Sequence, residues 1–205
     1  MNIAIIFAGG SGVRMGAGMP KQFLEINGKP IIIHTLDNFQ NNPLIDKIYI
    51  ACKSDYIEKL RYMIDYYRIT KTKGIVEGGK TGQDSIYNGL TYALKENPED
   101  SIVLLHDGVR PYISDDVIEK NIESVKKYGT AITCTAFFET PVVSESRDIV
   151  EKMPLRKDMF TAQAPQSFRL GEIVEAHEKI RKTNPNYENI ADSCNLFYNL
   201  GKEVH

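Results

Sequence analysis

The sequence predicts an α/β protein with a mainly parallel sheet and an inserted β-arm. Short apolar runs, typical of strands buried on both faces, alternate five times with segments of helical spacing. This alternation is the pattern of βαβ units, whose helices cover both faces of a parallel sheet. Segment 137–158 breaks the alternation. We therefore expect one domain, residues 1–205, that carries an arm at about 137–158.

The first two βα units occupy the amino-terminal third of the chain. A continuous apolar run at 3–7 predicts a buried strand, and apolar spacing after a glycine-rich segment predicts a helix at 30–39. A second strand is expected at 47–51. The helix that follows, at 54–67, has Ser54 as a candidate N-cap.

Two further units follow at similar spacing. A short strand at 74–76 precedes a helix at 84–94, and the apolar run at 101–105 precedes a helix at 114–127. Ser114, which stands before two aspartates, is a typical N-cap for the last of these helices.

The chain departs from the alternation after a fifth strand at 131–136. Segment 137–158 contains two β-rich runs around SESRD, which predicts a hairpin, and helical spacing returns at 170–180. A lone hairpin is marginal in water, and exposed apolar residues on it usually mark an interface. We expect an isologous homodimer through this arm. The alternative is an arm folded against its own domain.

Composition restricts the class of protein. Lys and Arg total 25 against 27 Asp and Glu, a net charge of −2, so no general basic field favours nucleic acid. We expect anions to bind only in a local pocket. Three widely spaced cysteines fit a reducing compartment, and neither a signal peptide nor a membrane span is recognisable. The expectation is a cytoplasmic protein without a membrane or nucleic-acid partner.

Three loops follow the carboxyl ends of predicted strands, where open parallel sheets bind ligands. The first, at 8–18, is rich in glycine, but it fits neither the P-loop nor the G-x-G-x-x-G dinucleotide pattern. Its glycines suit close approach of the backbone to an anion. Two nearby cations, Arg14 and Lys21, favour a nucleoside triphosphate over a simple flexible connector.

The other two loops offer complementary groups. Asp107 follows a buried strand, where a carboxylate suits Mg²⁺ bridging phosphate oxygens, although capping a turn is the alternative. Arg110 has the planar fork that suits a phosphate, although it could also be a solvated surface residue. The loop GGKTGQDS adds Lys80 and the Ser85 hydroxyl.

Three motifs resemble a known family. AGGSGVRMGAGMPKQF is similar to the nucleotidyltransferase signature GGxGxRMG…PKQ. Together with HDGVRPYI and AQAPQSF, it resembles the cytidylyltransferases that act on polyol phosphates. That group includes the methylerythritol-phosphate enzymes of isoprenoid synthesis and the ribitol-5-phosphate enzymes of wall teichoic acid and capsule synthesis. The resemblance covers essentially the whole chain and implies a Rossmann-like sheet of the nucleotidyltransferase type.

The resemblance implies roles for particular residues. Arg14 and Lys21 would be catalytic, stabilising charge on the triphosphate of CTP, and Asp107 would also position Mg²⁺. The arm would exchange with a second subunit. The residues implied to bind CTP are Ala8, Gly9, Gly10, Ser11, Gly12, Arg14, Lys21, Gly79, Lys80, Ser85 and Asp107. Those implied to bind the polyol phosphate are Arg110, Thr140, Arg156 and Asp192.

The sequence departs from the family pattern in three places. Gly82 stands where the family often has Arg, and Ala164 stands where the family's TPQ has a hydroxyl. Family members also continue to a further strand and a lysine near the triphosphate. The sequence here reaches His205 in a stretch that we expect to be a strand.

The acceptor is predicted from the last segment of the chain. Methylerythritol-phosphate enzymes typically read TDEASALE, whereas this chain reads IADSCNLF, which keeps Asp192 but has Ser193 next to it. That pattern is closer to the ribitol-phosphate type, so we expect transfer of CMP from CTP to D-ribitol 5-phosphate. The alternatives are methylerythritol phosphate as acceptor, and a catalytically weak nucleotide-binding module.

Overall fold

A computed structural model describes residues 1–9 and 19–205 of the chain. Strands and helices alternate through most of this part, as the sequence predicts. The strands are β1 (Asn2–Ala8), β2 (Glu25–Ile26), β3 (Lys29–Pro30), β4 (Lys47–Cys52), β5 (Thr72–Glu77), β6 (Ile102–Asp107), β7 (Thr130–Ala136) and β8 (Phe160–Arg169). The α-helices are α1 (Ile31–Asn41), α2 (Ile57–Tyr66), α3 (Gly82–Leu94), α4 (Asp115–Tyr128), α5 (Leu170–Thr183) and α6 (Ser193–Asn199).

The main sheet has the strand order β5-β4-β1-β6-β8-β7. Its first four strands run parallel, which confirms the predicted mainly parallel sheet. Strand β8 runs antiparallel to both β6 and β7. Sequence patterning did not find β8, because Pro165 interrupts it and a proline within a run argues against a strand.

Two apolar layers cover the two faces of the sheet. Successive side chains of a strand point to opposite faces. Ile5 of β1 therefore packs in the layer that contains Leu90 of α3 and the apolar residues of α5, whereas Ile6 packs with Leu36 of α1 and residues of α2 and α4. All four of these side chains are fully buried. This two-sided core fixes the positions of the strand ends at which the functional loops begin.

The helix termini confirm one predicted N-cap and correct another. The backbone N–H of Val117 donates to Ser114 Oγ at 3.4 Å, and α4 ends at Gly129, whose φ of 87° is the left-handed value that glycine tolerates. Ser54 is not an N-cap of α2. It lies instead in a short 3-10 helix, Ser54–Tyr56, which precedes that helix.

The arm is less regular than the predicted hairpin. Within it, one isolated antiparallel bridge joins Val143 to Lys152, and a short 3-10 helix, Arg156–Asp158, leads into β8. Residues 201–205 do not form the expected strand, although His205 O accepts from the backbone N–H of Ile132 in β7. Among the described residues, no helix has both the length and the apolar character needed to cross a membrane.

Candidate active site

Glycines and one serine form a closely packed surface where β1, β4 and β5 end. The backbone N–H of Gly79 donates to Ser85 Oγ at 3.0 Å. A Cβ on Gly9 would lie 2.6 Å from the same oxygen, and a Cβ on Gly79 would lie 2.0 Å from Cβ of Asp84. A side chain at either glycine would force these loops apart, so the surface that a ligand meets there is mainly backbone.

The first turn of α3 is fixed by a capping box. Thr81 Oγ1 accepts from the backbone N–H of Asp84, and the Asp84 carboxylate accepts from the backbone N–H of Thr81. Arg181 of α5 donates to the same carboxylate at 2.8 Å. Burial raises the pKa of Asp84, but the hydrogen bonds from Arg181 and Thr81 outweigh burial and leave the pKa below its usual value.

Lys21 is held beside the end of β1 by its neighbours. It begins a short 3-10 helix, Lys21–Phe23, in which Gln22 Nε2 donates to the carbonyl of Ala8 at 2.6 Å. The ring of Phe23 stacks on Tyr56 with centroids 4.9 Å apart. Lys21 is half-buried and forms no salt bridge with the residues that the structure describes.

Asp107 ends β6 with part of its carboxylate uncommitted. Oδ1 accepts from the backbone N–H of Val109 at 3.1 Å, and Oδ2 lies 3.9 Å from Nε of Arg110. Both interpretations from sequence, metal ligand and turn cap, are compatible with this geometry. The side chain is about one-third exposed, so Asp107 can still reach a bound ion or phosphate.

Side chains of α1 hold the loop after Asp107 in place through hydrogen bonds. Thr35 of α1 donates to the carbonyl of Gly108 at 3.1 Å, and Asn38 donates to the carbonyl of Pro111 at 2.7 Å. Buried His106 has its Nε2 2.9 Å from the carbonyl of Arg110, as expected for a structural histidine. Burial lowers the pKa of His106, so the ring stays neutral near pH 7.

A cavity of about 350 Å³ connects this loop with α3 and the start of α6. It brings together three residues predicted from the sequence, Asp107, Arg110 and Asp192, and Gly82 also lines it. Asp192 additionally caps α6, because its Oδ1 accepts from the backbone N–H of Asn195 at 2.7 Å. The cavity lies on the sheet face that carries α3 and α5.

The other predicted residues that the structure describes do not line this cavity. Gly10, Ser11, Gly12 and Arg14 lie outside the described residues. Ala8, Gly9, Lys21, Gly79 and Ser85 lie at the strand ends described above, and Lys80 is exposed in the same loop as Gly79. Thr140 and Arg156 are exposed on the arm, where Arg156 donates to the carbonyl of Phe138 at 3.2 Å. The structure of one chain does not bring these two residues to the cavity.

Sequence reasoning missed several cavity residues. Gln163 and Gln166 both line the cavity and belong to the segment AQAPQSF. The sequence pattern assigns them no function, because their spacing is not typical of a catalytic or metal-binding motif. Tyr187 also lines the cavity, and its hydroxyl lies 2.8 Å from Nδ1 of buried His177. Burial, and secondarily the charge of Arg181, lower the pKa of His177 to about 3, so this imidazole is neutral.

The donor set limits which metal fits. Among residues 1–9 and 19–205 there is no cluster of three or more His, Cys, Asp or Glu side chains that could hold an ion. Mg²⁺ is commonly bound by one or two carboxylates together with substrate phosphates, and Asp107 meets that requirement.

Comparisons with known proteins agree on one family. The family model for 2-C-methyl-D-erythritol 4-phosphate cytidylyltransferase (IspD) matches residues 2–205. A curated ribitol-5-phosphate cytidylyltransferase from Vibrio parahaemolyticus is 44% identical over 205 residues, which is 100% of this chain and 85% of that protein. A 2-C-methyl-D-erythritol 4-phosphate cytidylyltransferase from Clostridium botulinum is 38% identical over 204 residues, 100% of this chain and 86% of that protein.

A solved structure shares the fold. The crystal structure of 4-diphosphocytidyl-2C-methyl-D-erythritol synthase from Anaerococcus prevotii superposes with a TM-score of 0.84 at 27% identity. The match covers 100% of this chain and 84% of that one. The mainly parallel sheet and its covering helices are therefore shared with a protein of this type.

Proposed function

The chain belongs to the 2-C-methyl-D-erythritol 4-phosphate cytidylyltransferase (IspD) family, and on that premise we propose that it transfers CMP from CTP to D-ribitol 5-phosphate. The products are CDP-ribitol and pyrophosphate. One observation carries the choice of acceptor. Identity over the full chain is 44% to a relative named for ribitol 5-phosphate and 38% to a relative named for methylerythritol phosphate.

The cavity supports the same choice. Ser193 is buried and lines the cavity beside Asp192, with its Oγ 3.5 Å from Oε1 of Gln83. The methylerythritol-type pattern has an acidic residue at this place. The Ser193 hydroxyl donates to the Gln83 oxygen, whereas an ionised carboxylate has no proton to donate to it. The neutral hydroxyl at this point of the cavity wall supports an acceptor different from that of the methylerythritol type.

The reaction requires positioning and charge stabilisation. A phosphate oxygen of the acceptor attacks the α-phosphorus of CTP, a new P–O bond forms, and the bond to the β-phosphate oxygen breaks so that pyrophosphate leaves with the electron pair. The attacking phosphate is already ionised near neutral pH, so no general base is needed. Lys21 and Arg14 stabilise the charge that develops on the triphosphate, and Arg110 holds the acceptor phosphate.

We infer that the enzyme uses Mg²⁺ with Asp107 as its protein ligand. When bound there, Mg²⁺ would neutralise charge on the phosphate oxygens of CTP. Asp107 ends β6 in a rigid loop and keeps carboxylate oxygen available beside Arg110, which supports this assignment. The glycine surface around Ser85 suits a pyrimidine recognised by backbone groups, so we expect CTP to be preferred over ATP and GTP.

We further propose a homodimer in which each arm completes the site of its partner. The arm exposes apolar side chains that its own domain leaves uncovered, including Phe138 at 82%, Met153 at 65% and Leu155 at 64%. Thr140 and Arg156 lie on this arm, away from the cavity of their own chain. An arm packed on a second copy would cover the apolar residues and bring Arg156 to the acceptor phosphate.

Subunit mixing tests the shared site. An inactive Arg156→Ala subunit is combined with an inactive Lys21→Ala subunit and exchange is allowed. Activity should return, because half of the sites in a mixed dimer receive both intact residues. If mixed dimers form without activity, Arg156 serves its own chain and the proposal is wrong.

A cytoplasmic location is part of the proposal. Cys52, Cys134 and Cys194 are all free thiols, and two of them are buried. Free thiols persist in reducing compartments, whereas secreted proteins tend to oxidise them.

Two measurements separate this proposal from its alternatives. Calorimetric titration with CTP and Mg²⁺ tests nucleotide binding, and pyrophosphate release with each polyol phosphate tests transfer. Turnover with ribitol 5-phosphate supports the proposal. Turnover with methylerythritol phosphate alone favours the second candidate, which the family model's name supports. CTP binding without pyrophosphate release would identify a nucleotide-binding module.

A further inference from the structure

Two glutamines of β8, Gln163 and Gln166, line the cavity together. Residues three apart in a regular strand face opposite sides of a sheet. Here the pairing of β7 with β8 is irregular, because Ile132 pairs with Gln166 and Cys134 pairs with Ala162, so that four residues of β8 span two of β7. Such a bulge redirects side chains and is common beside active sites. It allows both glutamines to reach one cavity.

The orientation of each carboxamide is fixed by its hydrogen-bond partner. Oε1 of Gln166 accepts from the backbone N–H of Cys194 at 3.0 Å, and Oε1 of Gln163 accepts from Nη1 of Arg110 at 2.7 Å. A backbone N–H and a guanidinium can only donate, so each partner must meet the amide oxygen. The NH₂ group of each glutamine is therefore the group left for another contact.

These NH₂ groups have no partner in the described part of the chain. Within residues 1–9 and 19–205, neither Nε2 makes a hydrogen bond, although Gln166 is only 8% exposed. Neither Nε2 is among the fully buried side-chain atoms without a partner, so both NH₂ groups open to the cavity, where a ligand can supply the acceptor. Each NH₂ group offers two donors, so a ligand with several acceptor oxygens matches this part of the cavity wall. The neighbouring wall residues Ala162, Ala164 and Ala191 offer no side-chain hydrogen bonds.

We propose that Gln163 and Gln166 are specificity-determining residues that donate hydrogen bonds to hydroxyl oxygens of the acceptor's polyol chain. Arg110, which orients Gln163, takes the acceptor phosphate in the same cavity. A polyol chain carries one hydroxyl per carbon and matches a row of amide donors that a hydrocarbon or an aromatic ring would leave unpaired. This inference rests on the proposed function, since it names how that acceptor is recognised.

Deoxy substrates test the inference most sharply. Pyrophosphate release is measured for the wild type, Gln166→Met and Gln163→Met, with CTP, Mg²⁺ and either ribitol 5-phosphate or each of its four monodeoxy derivatives. For the wild type, removing the hydroxyl that Gln166 reads should lower kcat/KM by about 3- to 10-fold, the value of one neutral hydrogen bond. Gln166→Met should lower kcat/KM for ribitol 5-phosphate by a similar factor. For the deoxy substrate that lacks this hydroxyl, Gln166→Met and the wild type should have the same kcat/KM. Gln163→Met should show the same coupling at another hydroxyl.

Gln40→Met is the matched control. Gln40 Oε1 also accepts a backbone N–H, from Lys71 at 2.9 Å, but its Nε2 is already paired with Thr70 Oγ1 at 3.1 Å. It does not line the cavity. This variant removes a comparable structural contact. The ratio of kcat/KM for ribitol 5-phosphate to kcat/KM for each deoxy derivative should stay at the wild-type value.

The outcomes are distinguishable. If the wild type releases pyrophosphate with ribitol 5-phosphate but no hydroxyl couples to either glutamine, the inference is wrong and the proposed function stands. A rise in KM for CTP instead of the acceptor would place the glutamines on the nucleotide side and also overturn it. If the wild type uses no polyol phosphate at all, the proposed function fails and the inference fails with it.

Discussion

Nη1 of Arg181 in α5 lies 2.8 Å from Oδ1 of Asp84 in the first turn of α3. The same guanidinium lies over the ring of Tyr87, 4.6 Å from its centroid. Asp84 also closes the capping box with Thr81. This one contact therefore ties α5 to the loop that presents Gly79 and Ser85 at the proposed CTP site.

Arg181→Ala should destabilise the fold and loosen the CTP loop. Loss of a charged hydrogen bond to a partly buried carboxylate should lower the free energy of unfolding by about 1–3 kcal/mol, measured by urea denaturation. KM for CTP should rise more than KM for the acceptor. Lys179→Ala, which removes an exposed pair with Glu175 in the same helix, is the control and should change little. Equal effects of the two substitutions would contradict this role for Arg181.

Buried His177 should make stability depend on pH. Its pKa is about 3 in the fold, whereas an unfolded histidine titrates near 6.5, so the unfolded chain binds the extra proton in between. Stability is then full above pH 6.5 and falls by about 1.4 kcal/mol per pH unit as the pH drops toward 3. His106, also buried, contributes with the same sign. The measurement is therefore the difference between wild type and His177→Gln, which should have the flatter curve; parallel curves would show that His177 does not control the slope.

Lys21→Ala should lower kcat more than it raises KM for CTP. In the proposed reaction its half-buried charge would stabilise the departing pyrophosphate, and loss of one such contact typically costs about 10²–10³ in rate. Arg14 lies outside the described residues, and Arg14→Ala should likewise lower kcat more than it raises KM for CTP. Lys73→Ala removes an exposed lysine of β5 and serves as the control. An effect of Lys21→Ala confined to KM would mean that it binds ground state and transition state equally.

Asp107→Asn should abolish Mg²⁺-dependent turnover while preserving the fold. An asparagine oxygen can still accept from the backbone N–H of Val109, so the melting temperature should stay close to that of the wild type. The loss of charge removes the proposed metal ligand. Pyrophosphate release across a range of Mg²⁺ concentrations is the measurement. Near-full activity at saturating Mg²⁺ would rule out this role for Asp107.

Apolar patterning was sufficient to predict the four parallel strands of the sheet. β1, β4 and β6 are short apolar runs because both of their faces are covered, and the helix pattern between them is equally regular. β8 was not predicted, since Pro165 and a bulge remove the regular alternation. The arm interrupts the alternation of strands and helices, and this interruption predicts it. The sequence does not show that the arm forms a single β-bridge instead of a regular hairpin.

The site was only partly predictable. Asp107 ends β6 and Arg110 comes three residues later, so topology alone places them at the ligand-binding edge. Asp192 was assigned through the family resemblance, and the structure adds it to the same cavity. Gln166 reaches the cavity through the fold of β8 on α6, a contact between residues 28 apart in sequence, which no local pattern reveals.

Direct competition between the two acceptors tests the central claim. Equal concentrations of ribitol 5-phosphate and 2-C-methyl-D-erythritol 4-phosphate are incubated with the enzyme, limiting CTP and Mg²⁺, and the two CDP products are quantified by mass spectrometry. Their initial ratio equals the ratio of the two kcat/KM values. The account predicts CDP-ribitol as the main product, by at least about tenfold if one or more hydroxyl contacts discriminate. A product dominated by the methylerythritol derivative would contradict it.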